Sequence, residues 1–74
     1  MNYIKVGNLV DLCKIRTGET VSVQINGWYG DSRILSIGKN VTCQFDLPEI
    51  VRDLTVETFY PTNDGITIDC LITD

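Results

Sequence analysis

Residues 20–27, with the sequence TVSVQING, decide the fold class of this 74-residue chain. Apolar and polar residues alternate over the first six positions, which is the period of a β-strand with one buried face. The inward-facing residues of this strand are Val21, Val23 and Ile25. Asn26-Gly27 follows at once and favours the positive φ angles of a type I′ turn. The segment therefore predicts a strand and a tight turn, after which a return strand runs from Trp28 to about Ile37.

The same two-residue period recurs downstream, between segments that contain turn residues. Gly30 within the return strand predicts a bulge or a sharp bend, and residues 38–40 (GKN) predict a second turn. Three more strands are expected, over 41–45 (Val41, Cys43 and Phe45 inward), over 54–60, and over 66–72 (Ile66, Ile68, Cys70 and Ile72 inward).

Short helical segments are indicated by capping residues. A helix is expected over residues 9–16, behind an N-cap at Asn8 and with its apolar residues on one face. Residues 1–6 before it fit a short strand. In residues 46–49 (DLPE), a Pro in the first turn and a Glu at the capping-box position favour one or two helical turns through Asp53, or a loop.

This order of elements predicts one small domain over residues 1–74. The fold class is mostly β, with a short N-terminal helix followed by about five antiparallel strands. Strands this short, twisted and bent by their glycines, are expected to roll into a small, partly open barrel.

The order also resembles the Sm-like small barrels, which include the RNA chaperone Hfq and the protein inhibitors of the termination factor Rho. The resemblance covers residues 8–60. The segments that show it are residues 9–13, 21–27, 33–37 and 52–56. The resemblance implies a barrel that binds RNA or inhibits a protein. The His-containing RNA-binding motif of the Hfq type has no counterpart, since the chain has no His. The acidic C-terminal half is similar to the acidic character of the Rho inhibitors.

Charge divides unevenly along the chain. Residues 1–39 hold five bases and three acids, a net charge of +2, and residues 40–74 hold one base and seven acids, a net charge of −6. An acidic half disfavours a nucleic-acid backbone as ligand and favours a protein partner with a basic surface. Solubility alone is the competing interpretation.

No catalytic motif is found, so the chain is not expected to be an enzyme or to use a cofactor or metal. His is absent, which removes the commonest general base, and the six glycines form no phosphate-binding motif. The three cysteines, Cys13, Cys43 and Cys70, are interpreted as small core residues. Residues 1–7 lack the apolar core of a signal peptide, and no stretch could span a bilayer, which predicts a cytoplasmic location.

Two groups of residues are candidates for partner binding. Trp28 and Tyr29 follow the predicted turn, and large aromatic residues are frequent interface anchors. By alternation, Phe59 and Leu71 lie on the outer face of the last two strands, an apolar spot with Glu57 and Asp69 as an acidic rim. The alternatives are that Trp28 covers an open barrel end and that a helix or the N-terminal strand covers Phe59 and Leu71.

The leading functional hypothesis is therefore an acidic protein-binding module, such as an inhibitor or regulator of phage or mobile-element type. It would mask a basic nucleic-acid-binding or active-site surface of its partner. A second hypothesis is a nucleic-acid-binding Sm-like or OB-like barrel; its candidate residues are Trp28, Tyr29, Lys5, Lys14, Arg16, Arg33 and Lys39. A third is a self-assembling subunit that pairs through the free edge of its final strand.

Overall fold

A computed structural model of the protein describes residues 4–13, 20–63 and 65–72. Four strands and two α-helices are found in these ranges, with a 3₁₀ turn between β2 and α2. In chain order they are α1 (Val6–Leu12), β1 (Val21–Tyr29), β2 (Ser32–Val41), the 3₁₀ turn (Gln44–Asp46), α2 (Glu49–Arg52), β3 (Thr55–Pro61) and β4 (Gly65–Leu71).

The four strands form one sheet in the order β2-β1-β4-β3. β1 pairs antiparallel with β2, β3 pairs antiparallel with β4, and the two central strands β1 and β4 are parallel. The fold is therefore mostly β with a short helix, as predicted. The sheet is open and mixed, whereas about five antiparallel strands in a barrel were expected. The difference arises because residues 42–54 carry the chain across one face of the sheet, so that the second hairpin joins the first through parallel strands.

This topology also removes the expected route to self-assembly. The final strand, β4, lies between β1 and β3, so both of its edges are already paired. The two edge strands of the sheet are β2 and β3. The N-terminal residues pair with the beginning of β3: the Val56 N–H donates to the Ile4 carbonyl and the Val6 N–H donates to the Leu54 carbonyl, at 3.0 Å each.

The first hairpin turns four residues later than the Asn26-Gly27 dipeptide predicts. β1 continues through Tyr29, the loop is Gly30-Asp31, and Gly30 has a φ of 60°. Gly27 lies within β1, where a Cβ atom would be 2.5 Å from Ile72 Cδ1 and 2.9 Å from Leu35 Cβ. The glycine at position 27 is therefore explained by close packing rather than by a turn.

The second predicted turn and the strand after it are also absent from the described chain. β2 runs unbroken through residues 38–40 and ends at Val41. Phe45, which alternation places inside, lies in the 3₁₀ turn and is 72% exposed. The reason is local, because Asp46 Oδ2 accepts hydrogen bonds from the Thr42 backbone N–H at 2.6 Å and from the Thr42 hydroxyl at 2.8 Å, which folds the chain back after Val41.

The N-terminal helix begins earlier than predicted. It starts at Val6 behind an N-cap at Lys5, and it includes Gly7 and Asn8. Two further parts of the sequence interpretation, residues 1–3 of the first strand and residues 14–16 of the helix, lie outside the described ranges. The helical turn expected before Asp53 is confirmed as α2, one turn long.

The hydrophobic core lies between the helices and one face of the sheet. The inward positions predicted for the central strands are confirmed, since Val23, Ile25, Ile66, Ile68 and Cys70 are all buried. The remaining buried apolar residues are Val6, Leu9, Val10, Val41, Leu47, Val51 and Val56. No helix in the described ranges is long and apolar enough to cross a membrane.

Candidate binding surfaces

An apolar groove opens on the helix side of the sheet, between the start of β2 and α2. It has a volume of about 270 Å³ and six aliphatic lining residues, which are Ile34, Leu35, Ile50, Val51, Leu54 and Ile72. Ile50 is 78% exposed and Ile34 is 58% exposed, so the groove continues onto the surface. We call this feature the helix-side groove.

Two local features of the sequence build this groove. The register between β1 and β2 shifts after Gly27, because Gly27 faces Leu35 while Trp28 faces Arg33, which leaves Ile34 as the extra residue of a bulge. The bulge places two consecutive aliphatic residues at the groove. The missing side chain of Gly27 leaves room for Ile72 beside Leu35.

Two exposed acids adjoin the helix wall of the groove in sequence. Glu49 and Asp53 are exposed and lie next to the lining residues Ile50 and Leu54 in sequence. Glu49 and Asp53 are four residues apart across the single turn of α2, a spacing that places side chains near each other. Arg52 points away towards the 3₁₀ turn, where its guanidinium carbon lies 5.0 Å from the Phe45 ring centre.

The opposite face of the sheet is not covered by α1, the 3₁₀ turn or α2, and we call it the open face. Its centre is the Asp69 carboxylate. Asp69 Oδ1 accepts hydrogen bonds from Trp28 Nε1 at 3.1 Å and from Asn26 Nδ2 at 3.2 Å. Asp69 Oδ2 lies 3.5 Å from the Thr58 hydroxyl, which donates to it. The carboxylate thus connects β1, β4 and β3 and fixes the indole of Trp28.

This hydrogen-bonded network extends to the edge strand β2. The Gln24 amide nitrogen donates to Asn26 Oδ1 at 3.0 Å and to the Ser36 hydroxyl at 2.9 Å. Together with Asp69, these residues join side chains of all four strands on one face of the sheet. Such a network holds its members in defined positions.

At one end of the open face, five residues form a row across the strands. The register pairs Arg33 with Trp28, Trp28 with Leu71, Leu71 with Thr55, and Thr55 with Lys5. The Lys5 ammonium donates a hydrogen bond to the Thr55 hydroxyl at 3.2 Å, which places its charge on this face. Trp28 and Leu71 therefore lie in the middle of the row, with a base at each end.

The structure brings together three of the six residues predicted to bind a partner. Trp28, Asp69 and Leu71 share the open face, because Trp28 and Leu71 are register partners and Asp69 receives the Trp28 N–H. Trp28 and Asp69 are half-buried, and Leu71 is exposed. Leu71 and Asp69 thus lie on the same face, as predicted, and Trp28 lies there with them.

The other three residues lie elsewhere. The register of β3 against β4 shifts between Val56 and Thr58, which leaves Glu57 as an exposed bulge residue. Phe59 is therefore paired with the buried Ile68 and lies on the helix side of the sheet, opposite to the face of Leu71. Tyr29 lies at the end of β1 beside the hairpin loop and is exposed.

Folding redistributes the charges of the described chain. Four of its seven acids, Asp11, Asp46, Glu49 and the α2 C-cap Asp53, lie on the helix side together with the bases Lys39 and Arg52. The other three are Asp31 in the hairpin loop, Glu57 at the β3 bulge and Asp69 on the open face. Lys5 and Arg33 flank the open face, whose acid Asp69 is engaged by Trp28, Asn26 and Thr58. The helix side is therefore acidic, and the row of the open face is flanked by positive charge.

Burial disfavours ionisation of two of the cysteine thiols. Burial raises the pKa of the Cys70 thiol to about 11, with a further contribution from the negative charge of Asp69. Burial also raises the pKa of Cys13. Both thiols are therefore protonated at neutral pH, consistent with packing roles. Within the described ranges, no group of three or more His, Cys, Asp or Glu side chains could hold a metal ion.

Comparisons with known proteins identify no relative. No protein family, no curated protein and no solved structure matches the chain. The Sm-like resemblance therefore gains no support beyond the mostly β character of the fold, and any functional conclusion depends on the two surfaces described above.

Sequence reasoning missed the helix-side groove entirely. Its residues come from β2, α2 and the segment after β4, so that no local pattern joins them. One signal was available in Ile34-Leu35, two consecutive aliphatic residues that interrupt the alternation of β2. Such an interruption is typical of a bulge.

Proposed function

We propose that this chain is a non-catalytic domain that binds a protein through the helix-side groove, and that its partner presents a basic surface. The observation that carries the proposal is an aliphatic groove whose α2 wall has the exposed acids Glu49 and Asp53 next to its lining residues in sequence. A regulator or inhibitor that covers a nucleic-acid-binding surface of its partner would have this character.

The size and lining of the groove favour a protein side chain over a small metabolite. Pockets for small ligands typically have volumes of about 300–1,000 Å³ and include a few polar groups that orient the ligand. This groove lies just below that range, and its six lining residues are all aliphatic. It therefore suits one large apolar side chain from a protein partner, which is how interface anchors bind.

The charge beside the groove indicates what should surround that anchor. Glu49 at the start of α2 and Asp53 at its C-cap are exposed, so Lys or Arg residues flanking the apolar anchor would approach opposite charges. Complementary charges of this kind raise the association rate and select against acidic partners. We therefore expect the ligand to be a segment with a large apolar residue between basic ones.

Methyl NMR of the isoleucines tests this proposal with synthetic peptides. The probe is Arg-Lys-Leu-Phe-Lys-Arg, with one control in which Ser replaces Leu and Phe and another in which acids replace the bases. We expect the probe alone to shift the methyl signals of Ile34, Ile50 and Ile72, while the core residues Ile25 and Ile68 stay unchanged. Equal shifts with the acidic control, or none with the probe at millimolar concentration, would contradict the proposal.

Charge-reversal variants separate the groove from the rest of the acidic surface. Glu49→Lys combined with Asp53→Lys should weaken binding of the basic probe by roughly tenfold at low salt, because attraction becomes repulsion. The matched control is Glu57→Lys, at the bulge of the opposite edge strand, which should change the affinity less than twofold. Equal effects from the two variants would mean that overall charge, not the groove, attracts the peptide.

A further inference from the structure

We infer that the open face is a second binding site, which takes a short single-stranded nucleic acid with a base stacked on Trp28. The site is separate from the helix-side groove, and the inference does not depend on the proposed protein partner. Its structural basis is the row of Lys5, Thr55, Leu71, Trp28 and Arg33 across one end of the sheet, on the face that α1, the 3₁₀ turn and α2 leave open.

Trp28 has the properties of a stacking platform. Its indole N–H is held by Asp69 Oδ1 at 3.1 Å, and its register partner on β4 is the exposed Leu71. A ring fixed in this way loses little conformational freedom when a base stacks on it. Stacking on an aromatic side chain tolerates any base, and it contributes a large share of the affinity of single-strand binding proteins.

The two bases of the row are placed to contact phosphates on either side of the stacked base. Lys5 and Arg33 occupy the two ends of the row and are exposed. Since neighbouring strands are about 4.8 Å apart, the four steps between these residues span roughly 19 Å. A single-stranded nucleic acid laid along the row would cross β3, β4, β1 and β2 in turn. Its bases would lie over the polar side chains of the open face.

The negative charge of the chain does not rule out this ligand, because four of the seven described acids lie on the helix side. Asp11, Asp46 and Glu49 belong to the helices and the 3₁₀ turn, and Asp53 is the C-cap of α2. Water and salt screen exposed charges beyond about 8 Å at physiological ionic strength. Asp69 is the acid of the open face, and its oxygens accept hydrogen bonds from Trp28, Asn26 and Thr58. Among the described residues of the row, the charged groups that remain to meet a ligand are Lys5 and Arg33, and the nearest other acid in sequence is the exposed Asp31 of the hairpin loop.

Fluorescence provides a direct test, because Trp28 is the single Trp of the chain. Titration with a twelve-nucleotide oligothymidylate should quench the emission. The logarithm of the association constant should fall with the logarithm of salt concentration with a slope of about −1.4, the value for two phosphate contacts by a single strand. Lys5→Gln and Arg33→Gln should each reduce the slope by about 0.7. Lys39→Gln is the matched control, because Lys39 bonds the Asp46 carbonyl on the helix side at 2.7 Å.

The stacking contact is tested with a labelled oligonucleotide, since a Trp28 variant has no Trp signal. Trp28→Leu should weaken binding measured by fluorescence anisotropy roughly 5- to 150-fold, and circular dichroism should show an intact sheet. Ile50→Ser, in the helix-side groove, should leave this affinity unchanged.

Several results would overturn the inference. Absence of quenching and of anisotropy change at 100 µM protein in low salt would exclude the site. Equal losses in Lys39→Gln and Arg33→Gln would show that binding follows overall charge. Quenching of similar strength by a polyglutamate peptide would show that the open face attracts an acidic protein rather than a nucleic acid.

Discussion

At the scale of single residues, Asp69 is the side chain whose role the sequence describes least well. Alternation places Asp69 and Glu57 together on the solvent side, as equivalent acids of a rim. In the structure Glu57 is an exposed bulge residue, whereas the Asp69 carboxylate accepts hydrogen bonds from three side chains. Sequence periodicity gives the face of a residue but not its hydrogen-bond partners, because these come from strands distant in sequence.

This contrast predicts different effects of the same substitution at the two acids. Asp69→Ala should lower the free energy of unfolding by about 1–3 kcal/mol, because the half-buried Trp28 and Asn26 donors lose their acceptor. Asp69→Asn should lower the free energy of unfolding by less than Asp69→Ala does, because the Asn side chain keeps an acceptor oxygen. Glu57→Ala is the control and should stay within about 0.5 kcal/mol of the wild type in urea unfolding. Equal stability of Asp69→Ala and Glu57→Ala would mean that the network adds no stability.

Gly27 shows a second limit of local reasoning. Asn26-Gly27 is a strong hairpin signal, yet the turn is made by Gly30 with its φ of 60°. The sequence pattern correctly indicates that position 27 needs glycine, although the reason is steric. Which of two nearby glycines makes a turn depends on the pairing of β1 with β4, which lies beyond a local window.

We expect Gly27→Ala to destabilise the fold by about 1–3 kcal/mol, the usual loss for overpacking. The added Cβ would lie 2.5 Å from Ile72 Cδ1 and 2.9 Å from Leu35 Cβ, so both groove residues must shift. Gly38→Ala is the matched control in β2, where the one near group is the side-chain amide of Gln24, with its Oε1 at 2.9 Å, rather than two packed aliphatic residues. Thermal unfolding of both variants measures the difference, and we expect the lower melting temperature for Gly27→Ala. Similar melting temperatures would contradict the packing explanation.

At the scale of elements, the strands and helices were better predicted than their ends and pairings. The period-two segments became β1 and β4 with the expected inward residues, and the helical turn predicted after the DLPE segment is α2, with Pro48 as its N-cap. The failures lie where a side chain redirects the backbone, as at Asp46, or where a bulge reverses the alternation, as at Glu57. One extra residue moves every following side chain to the other face, so Phe59 was assigned to the wrong side.

The connection between Thr42 and Asp46 should make the segment after β2 sensitive to acid. The Thr42 backbone N–H, followed by its hydroxyl, holds the pKa of Asp46 below its ordinary value. A carboxyl group with a lowered pKa in the folded state stabilises the fold above its unfolded pKa, and this stabilisation disappears as the pH falls through the folded pKa. The effect should therefore be lost below about pH 4.

The comparison of variants isolates this contribution. Asp46→Asn should be less stable than the wild type at pH 7, and the difference should narrow as the pH falls below about 4. Thr42→Ala should behave in an intermediate way, because it removes the hydroxyl donor and keeps the backbone N–H. Urea unfolding at a series of pH values measures this, and a difference that stays constant with pH would contradict the assignment.

At the scale of the whole molecule, the sheet separates two surfaces of different chemistry. The sequence shows a basic first half and an acidic second half, but folding interleaves these halves, since β1 pairs with β4 in the centre of the sheet. The resulting division is between an acidic helix side with an aliphatic groove and an open face with Trp28 between two bases. Only the topology could reveal this division, because it depends on the parallel central pair.

Two surfaces on opposite sides of one sheet should bind their ligands independently. The groove is lined from β2, α2 and the segment after β4, whereas the row uses the residues of the other face. Coupling between sites requires an element with two arrangements that both ligands bias, and the described chain shows a single, continuously paired sheet.

Saturating the groove with the basic apolar peptide should therefore change the oligothymidylate affinity less than about twofold at physiological salt, where charges on opposite faces are screened. A titration of Trp28 fluorescence with and without the peptide measures this, with the Ser-substituted peptide as control. Strong competition between the two ligands would show that they share one surface, and the division by layer would then be wrong.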